Sequence, residues 1–385
     1  MRYDVLIVGG GLAGLALAVA LRGTRLSVGL IEGRAPVFAE GWDARVYAVS
    51  PANAAFLDSI GVWRHLPAER LCRVENMEVR GDAGGRLDFS AYAAGASALA
   101  WIVESKVLLA ELHESAKRQS NLTLHCPANP AALTFGAEDG QVDLGDGRSL
   151  RARLVVAADG ADSWTRAAAG LHVEFRPYRQ RGVVANFNAA IPHRGTAFQW
   201  FRDDGILAYL PLPGNRVSLV WSTPDAHAEE LLALSAEAFR SRVAAAGSHR
   251  LGDLELITPP AAFDLRLMRA RHPIGPRLAL IGDAAHTIHP LSGHGINLGF
   301  RDAQALAGVL ADKPDHVDCG DRSLLRRYER MRKEEVVALQ GVTDILHRLF
   351  TPAQRPLSRL RNLGLNVTDR LPVIKDALIR YAIAS

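Results

Sequence analysis

The segment 278–302 carries residues that could bind a polyol, a flat ring and a negative charge. Asp283 follows a predicted strand, where its carboxylate could accept hydrogen bonds from ribose or ribitol hydroxyl groups. Gly293 and Gly295 have no side chains, so the backbone there could approach a flat ligand closely. A predicted helix follows, and the N–H groups at its start would stabilise developing negative charge. These properties together suit a reduced flavin.

A glycine-rich turn near the N-terminus has the pattern of a dinucleotide-binding site. Gly9, Gly11 and Gly14 follow an apolar run and precede helix-forming residues. The G-x-G-x-x-G pattern therefore stands between a predicted strand and a predicted helix, as dinucleotide binding requires. Glu32 ends the next predicted strand, 18 residues after Gly14, where it could bind ribose hydroxyl groups. The turn is predicted to hold a pyrophosphate.

A third motif lies in segment 154–166, where an apolar run ends at Asp159 and Gly160. Ser163 and Arg166 follow at the start of a predicted helix. Alone, this pattern could mark no more than a strand that ends in a turn. Beside the other two motifs, it makes Asp159 and Arg166 candidates for FAD binding or for the passage of the reductant.

In this order, the glycine pattern, the Asp-Gly motif and the string GDAAH…P…G-x-G-x-N resemble the FAD-dependent aromatic hydroxylases, whose familiar member is para-hydroxybenzoate hydroxylase. Segment 43–50 resembles the D-x-R-x-x-A-L-S segment of the ubiquinone-biosynthesis branch of that family. The string GDAAHTIHPL and two stretches of the tail, 343–350 and 360–372, are also similar to that branch. The resemblance covers essentially the whole chain.

The resemblance implies an α/β fold: a Rossmann-like FAD-binding domain with an inserted antiparallel β-sheet substrate domain and C-terminal helices. The FAD-binding domain is expected to be discontinuous, over residues 1–70, 101–174 and 271–320. The sheet domain is expected at 71–100 and 175–270, and the helical region at 321–385.

The local pattern predicts individual elements within this layout. Helices are predicted at 51–66, 104–119 and 228–245, and an antiparallel hairpin around the glycine-rich turn 81–85. Short β-prone runs separated by turn signals are predicted to form the rest of the sheet domain at 183–187, 196–201, 206–210 and 216–222.

The resemblance also implies an activity. It implies an FAD-dependent monooxygenase that uses NADPH or NADH and O2 to hydroxylate the ring of a polyprenylated phenol in ubiquinone biosynthesis. Two other functions remain open: hydroxylation of another small aromatic compound, and a flavin-bound accessory subunit of a biosynthetic complex. The expected FAD-binding residues are Gly9, Gly11, Gly14, Glu32, Arg45, Asp159, Arg166, Asp283, Gly293, Gly295, Ile296 and Asn297.

Pro290, His294 and Gly295 are the candidate catalytic residues, because they are expected beside the flavin ring. His294 could polarise a phenol hydroxyl, since its unperturbed pKa is about 6.5, or it could only hold the loop through a hydrogen bond. Ser292 and His294 stand where the branch usually has Ala and Gln. Three histidines lie within nine residues here, but no acidic ligands accompany them, so no metal site is predicted.

Four residues of the predicted sheet are candidates for the substrate pocket: Trp200, Tyr209, Leu210 and Leu212. Their spacing places some of them on one face, where they could instead pack in the core. An aromatic ring with a prenyl tail would need apolar walls of this kind.

Composition predicts a globular protein with a large core, since 48% of the 385 residues are hydrophobic and 22% are charged. No run of 18 uncharged apolar residues is present, so no transmembrane helix is predicted. The three cysteines follow no metal-binding spacing and are expected to be reduced thiols. With no signal peptide apparent, these features predict a cytoplasmic protein.

The net charge is +4, and basic residues concentrate after residue 321, interleaved with apolar residues at helical spacing. Amphipathic helices that pack on the domain would explain this pattern. A surface that meets anionic lipid or a partner in a quinone-biosynthesis complex would also explain it. No motif or aromatic platform indicates nucleic-acid binding.

Overall fold

The computed structural model describes residues 1–38, 40–288 and 295–350, together with Asn362 and Asn366. Four of the positions singled out above, Pro290, Ser292, Gly293 and His294, lie outside the described residues. So does most of the chain after Phe350.

The described residues form twenty strands and eight α-helices. The strands are β1 (Arg2–Val8), β2 (Val28–Ile31), β3 (Val46–Val49), β4 (Leu71–Val74), β5 (Asn76–Arg80), β6 (Arg86–Ser90), β7 (Ala100–Glu104), β8 (Leu122–His125), β9 (Pro130–Phe135), β10 (Gly140–Leu144), β11 (Ser149–Ala157), β12 (Val173–Ala189), β13 (Thr196–Arg202), β14 (Gly205–Leu212), β15 (Arg216–Pro224), β16 (Leu254–Leu256), β17 (Ala261–Ala270), β18 (Ile274–Gly275), β19 (Leu278–Leu280) and β20 (His286–Thr287). The helices are α1 (Leu12–Ala20), α2 (Pro51–Ser59), α3 (Ser105–Lys117), α4 (Trp164–Ala168), α5 (Asp225–Ala233), α6 (Ala236–Ala246), α7 (Gly295–Ala311) and α8 (Arg322–Phe350). Short 3-10 helices lie at Trp63–His65, Ala68–Arg70 and Gly282–Ala284.

An eight-stranded sheet, called the parallel sheet below because its strands β19, β11, β1, β2 and β8 pair in parallel, brings the sequence motifs to one edge of the molecule. Strands β18, β10 and β9 extend it through antiparallel pairs. Its strand order is β18-β19-β11-β1-β2-β8, and β1 pairs in parallel with β2 and β11, as does β11 with β19. Because the carboxyl ends of parallel strands meet at the same edge, the residues that follow these strands lie together there. They are Gly9, Glu32, Asp159 and Asp283.

A nine-stranded sheet, mostly antiparallel, forms the second layer. Eight of its strands follow the order β20-β17-β12-β15-β14-β13-β5-β6, and the ninth, β16, pairs with β12. The predicted hairpin around 81–85 is confirmed, since β5 and β6 pair antiparallel across it. One face of the sheet is covered by α5 and α6 through a hydrophobic cluster that includes Trp221 and Phe239. The opposite face is left to line a cavity.

A three-stranded antiparallel sheet, β3-β7-β4, stands between these two layers. Its strands have only four or five residues each, and the sequence analysis did not predict it. Strand β4 pairs with β7 and not with β5, so residues 71–74 belong to this small sheet. Strand β20, within the predicted FAD-binding range 271–320, also departs from the prediction, because it pairs with β17 of the nine-stranded sheet. The division into a discontinuous FAD-binding domain and a sheet domain stays a proposal.

The prediction of one helix over 228–245 is wrong, because the chain forms α5 and α6 with a break at Leu234 and Ser235. The Ser235 side chain accepts a hydrogen bond from the Ala238 N–H at 3.2 Å and so begins a new helix. Serine competes well for this N-cap position. The predicted helix at 104–119 is confirmed as α3.

Candidate active site

Two adjoining cavities lie along the carboxyl edge of the parallel sheet. The first, of about 440 Å³, is the glycine cleft, lined by residues that include Gly9, Gly11, Glu32 and Asp159. The second, of about 620 Å³, is the central cavity, which lies between the three-stranded sheet and the open face of the nine-stranded sheet. Asp162 lines both of them, so one extended ligand could occupy both.

The three glycines of the glycine cleft have different physical roles. A Cβ on Gly9 would lie 2.4 Å from the Ala158 carbonyl oxygen, and Gly9 has a φ of +108° that favours glycine. A Cβ on Gly14 would lie 2.1 Å from the Gly9 oxygen, so α1 can pack on β1 only without it. A Cβ on Gly11 would meet nothing within 4 Å. The fold therefore requires Gly9 and Gly14, whereas Gly11 leaves open space.

That open space fits a phosphate group. Gly11 is the N-cap of α1 and supplies no side-chain cap, so the first N–H groups of the helix face the cleft without a side-chain partner. A helix N-terminus of this kind favours an anion. Nearby, the Glu32 carboxylate is oriented by the N–H groups of Gly10, at 2.7 Å, and Arg34, at 3.0 Å. Its remaining lone pairs could accept hydrogen bonds from ribose hydroxyl groups.

Asp159 lines the glycine cleft, but its oxygens are already used by α4. They accept hydrogen bonds from Ser163 Oγ at 2.5 Å and from the N–H and Oγ1 of Thr165 at 2.9 Å. Asp159 therefore organises the start of α4 at the wall of the cleft.

Arg166 lines neither cavity, which corrects the expectation of direct contact with FAD. Its guanidinium is buried and donates to the carbonyl oxygens of Ala161 and Ala284, both at 2.9 Å. It thus joins the loop after β11 to the turn that carries Asp283.

Asp283 lines the central cavity, and its carboxylate has no hydrogen-bond partner among the described residues. Burial raises the pKa of Asp283, while the charges of His286, Arg45 and Arg266 act to lower it. The side chain is open to the cavity, yet protein surrounds the cavity on most sides. A carboxylate without a protein partner at such a wall is suited to accept hydrogen bonds from ligand hydroxyl groups.

Arg45 faces the same cavity from the loop before β3. Its guanidinium lies 5.6 Å from the Tyr47 ring centroid and makes no ion pair with a described side chain. The loop itself is fixed: the Asp43 N–H donates to Glu104 Oε1 at 2.6 Å, and Asn186 Nδ2 donates to the Asp43 carbonyl at 2.8 Å. A rigid backbone thus presents a cation to the cavity.

The first turn of α7 closes the cavity, with Gly295 and Ile296 in its wall. The Asn297 amide, by contrast, is buried and bonded to protein. Its Oδ1 accepts from the Ser50 N–H at 2.9 Å, and its Nδ2 donates to the Ala48 carbonyl at 2.8 Å. Asn297 therefore positions α7 against β3 and α2.

A buried charge network supports the turn that carries Asp283, and no pattern in the sequence predicted it. Asp302 of α7 accepts hydrogen bonds from the Gly282 N–H at 2.9 Å and from Arg332 Nε of α8 at 2.7 Å, and lies 2.6 Å from His286 Nε2. Burial acts to raise the pKa of Asp302, but the charges and hydrogen bonds of His286 and Arg332 outweigh it and lower that pKa. The spacing of Asp302, His286 and Arg332 in the sequence does not indicate that they are in contact, because they belong to separate elements.

The sheet face that lines the cavity is only partly the one expected. Leu210 lines it, as do Ile206 and Ala208, two and four residues earlier on β14. Tyr209 and Trp200 lie on the opposite face, where Tyr209 Oη donates to the Val243 carbonyl at 2.6 Å and the two rings lie 5.0 Å apart. The expectation that they line the pocket is therefore wrong.

Leu212 lies on the same face of β14 as Leu210 but is fully buried in a hydrophobic cluster next to the central cavity. It is not in contact with the central cavity.

The central cavity has a charged end and an apolar end. Arg45, Asp283, Asp264 and Arg266 lie at the first, near α7 and the parallel sheet. The apolar end is formed by the three-stranded sheet and the β5–β6 hairpin, with side chains that the sequence analysis did not single out. These are Val74, Met77, Phe89, Leu99, Ala100 and Ile102.

The comparison with known proteins, like the geometry of the two cavities, indicates an FAD-binding protein. Residues 2–341 match the FAD binding domain family. Over 99% of its length, the chain is 36% identical to the ubiquinone hydroxylase UbiL of Rhodospirillum rubrum, of which the match covers 90%. It is 33% identical to the 3-demethoxyubiquinol 3-hydroxylase of Escherichia coli, over 99% of this chain and 98% of that one.

A solved structure shows the same fold. The chain superposes on p-nitrophenol 4-monooxygenase PnpA from Pseudomonas putida DLL-E4 with a TM-score of 0.82, over 99% of this chain and 98% of that one. The two sequences are 18% identical, so this likeness concerns the fold alone.

Proposed function

This chain belongs to the FAD binding domain family of FAD-dependent aromatic monooxygenases, and on that premise we propose that it hydroxylates the ring of a polyprenylated phenol in ubiquinone biosynthesis. NADPH or NADH would be the reductant and O2 the second substrate. The observation that carries the proposal is the central cavity, whose charged end adjoins the FAD-binding edge and whose other end is apolar.

The residues present fit FAD. The open space at Gly11 and the start of α1 would take the pyrophosphate, and Glu32 the ribose. Asp283 would accept hydrogen bonds from the ribityl chain, and the N-terminus of α7 at Gly295 would stabilise negative charge on the ring. When bound, FAD supplies the electron transfer and oxygen activation that no side chain can perform.

The protein's own residues would bind and shield the substrate. A cavity of about 620 Å³ is within the range of small-molecule sites, and its apolar end would accept a hydrocarbon chain. The same apolar walls would keep water away from the reacting ring. Arg45 would contribute a positive charge at the FAD end of the cavity.

The proposal is tested with purified FAD-loaded protein. Consumption of NADPH or NADH and of O2 is measured with a short-chain prenylated phenol and with the same phenol lacking the chain. We expect the prenylated compound to stimulate both and to gain one oxygen atom by mass spectrometry. Stimulation by the unprenylated ring alone would instead favour a hydroxylase of another small aromatic compound. No stimulation by either would favour the accessory-subunit function.

Mass spectrometry of quinone intermediates in a deletion strain would identify the reaction in the cell. We expect one intermediate that lacks a ring hydroxyl to accumulate, and its structure would give the ring position. An unchanged set of intermediates would contradict the proposal.

A polyprenylated substrate dissolves in membranes, and we propose that α8 brings the protein to a membrane surface. None of the described helices is long and apolar enough to cross a membrane. The exposed side of α8 carries Arg326, Arg327, Arg330 and Lys333, none of which has an ion pair with a described residue. Such a cationic face would be attracted to anionic lipid.

A further inference from the structure

Two polar side chains interrupt the apolar sheet face that lines the central cavity. Gln199 lies on β13 and Ser222 on β15, and both contact the cavity. Only 7% of Gln199 and 4% of Ser222 is exposed. Neither side chain has a hydrogen-bond partner among the described residues, although buried polar groups in proteins are normally bonded. Both groups are therefore available to a ligand in the cavity.

The pairing register of the strands fixes the relative positions of the Gln199 and Ser222 side chains. Strand β14 runs between them, with Gln199 opposite Ala208 and Ser222 opposite Ile206. Neighbouring strands lie about 4.8 Å apart, so β13 and β15 are separated by roughly 10 Å. Ala208 is the smallest side chain between the two polar groups and leaves room for a flat ring. On β15, Val220 stands opposite Ala208, so Ser222 lies two residues further along, beside Ile206. A ring that lies across Ala208 and Ile206 would have one edge toward Gln199 and the opposite edge toward Ser222.

The chemistry of the two groups selects oxygen substituents. The Gln199 amide can donate and accept hydrogen bonds, and so can the Ser222 hydroxyl. A phenol hydroxyl can use both functions of a partner, whereas a methyl ether can only accept. An unsubstituted ring edge would leave both protein groups without a partner, and that is unfavourable in a buried site.

We infer that Gln199 and Ser222 form a polar subsite that binds oxygen substituents of the substrate ring, with Gln199 as a specificity-determining residue. The subsite rests on the proposed function and extends it. It orients the ring, because the hydrocarbon chain must then run along the apolar end past Met77 and Phe89. The ring position that faces the FAD end is thereby set by the sheet.

The test compares two ligands and three variants. The dissociation constants of a short-chain prenylated phenol and of its methyl ether are measured from the flavin absorbance change, for the wild type, Gln199→Met and Ser222→Ala. Gln141→Met, on β10 of the parallel sheet, is the matched control. FAD retention is measured for every variant.

We expect the wild type and Gln141→Met to bind the phenol about threefold to tenfold more tightly than the ether, the effect of one neutral hydrogen bond. Gln199→Met should bind the two ligands alike and keep its FAD, and Ser222→Ala should lose part of the preference. An unchanged preference in Gln199→Met would overturn the subsite while the proposed function stands. Equal affinities in the wild type would overturn it even if no variant folds. A wild type that binds neither ligand would remove the proposed function and the subsite together.

Discussion

Among single residues, Asp283 lines the central cavity with a carboxylate that has no hydrogen-bond partner among the described residues. Its pKa is raised by burial in the folded protein, so folding is favoured with the proton bound. The contribution of Asp283 to stability is then greatest below the ordinary Asp pKa of about 3.9 and is lost as the pH rises through the higher folded-state pKa. A bound polyol would donate hydrogen bonds to the charged form of this carboxylate and so act to lower its pKa again.

Asp283→Asn should consequently stabilise the FAD-free protein and weaken the binding of FAD. The FAD-free variant should unfold at a higher temperature than the wild type at neutral pH, because a neutral amide replaces a carboxyl group whose charged form is disfavoured in the folded protein. Its affinity for FAD should fall roughly tenfold to a hundredfold, the effect of a hydrogen bond to a charged group. Thermal unfolding and FAD titration measure the two effects, and an unchanged FAD dissociation constant would remove Asp283 from the site.

Gly11 and Gly14 form a matched pair that separates cofactor binding from folding. Gly11→Val should fold normally, since a Cβ there meets nothing within 4 Å, but should lose FAD because the side chain fills the pyrophosphate space. Gly14→Ala should lower the free energy of unfolding by about 1–3 kcal/mol through overpacking. Chemical denaturation and flavin absorbance distinguish them. A Gly11→Val protein that keeps its yellow colour would contradict this assignment.

The positions of Gly11, Glu32 and Asp283 at the cavities could be predicted from the sequence because each follows a strand of the parallel sheet closely. The contacts of Arg166 could not be predicted, because its partners are the carbonyl groups of Ala161 and Ala284. Every residue type has a backbone carbonyl group, so the sequence does not show which ones accept a hydrogen bond. The face on which Tyr209 lies could not be predicted, because alternation along a strand separates two faces but does not say which of them lines a cavity.

At the scale of elements, the Asp302 network joins α7, α8 and the turn that carries Asp283. Asp302 is fully buried and Arg332 is 4% exposed, so removal of Asp302 takes the acceptor from His286 and the Gly282 N–H and leaves Arg332 with Glu335 as its remaining ion-pair partner. Breaking a buried pair in this way costs about 3–5 kcal/mol. The network also fixes the Gly282 N–H, so its loss should disturb the FAD site.

Asp302→Ala should therefore lower the free energy of unfolding by about 3–5 kcal/mol and weaken FAD binding. The control is Asp146→Ala, which removes a surface pair with Arg148 and should cost at most about 1 kcal/mol. The pKa of Asp302 is lowered on folding, so its stabilisation is present above about pH 3.9 and is lost as the pH falls. The wild type should lose stability more steeply than Asp302→Ala in acid, and equal slopes would contradict the network.

Strands β1 and β11 were predictable because each contains a continuous apolar run, and α3 because its apolar residues recur at helical spacing. The three-stranded sheet was not, because strands of four or five residues are too short to show a period. The break between α5 and α6 was missed because one Ser in a helical pattern is also common inside helices.

At the scale of the whole molecule, the basic face of α8 lies outside the core. Met331 and Val337 are 58% and 43% exposed on the same helix as its cations. Each cation near an anionic lipid surface contributes about 1 kcal/mol, enough together for reversible association.

The protein should therefore bind vesicles that contain anionic phosphatidylserine and not neutral ones, with binding that weakens as salt is added. The double variant Arg326→Glu/Arg330→Glu should reduce partitioning by at least about 30-fold, with FAD still bound. Arg240→Glu, on α6, is the control and should bind like the wild type. Vesicle flotation measures this, and equal binding by the double variant would exclude α8 as the contact.

The central claim is that this chain inserts one oxygen atom from O2 into the ring of a prenylated phenol. The most direct test supplies purified protein with FAD, NADPH, a short-chain prenylated phenol and O2 labelled with the heavy oxygen isotope, and analyses the product by mass spectrometry. We expect a product with a single labelled oxygen on the ring, and no product when the reductant is left out. NADPH oxidation that yields only hydrogen peroxide, or a product whose new oxygen comes from water, would contradict it.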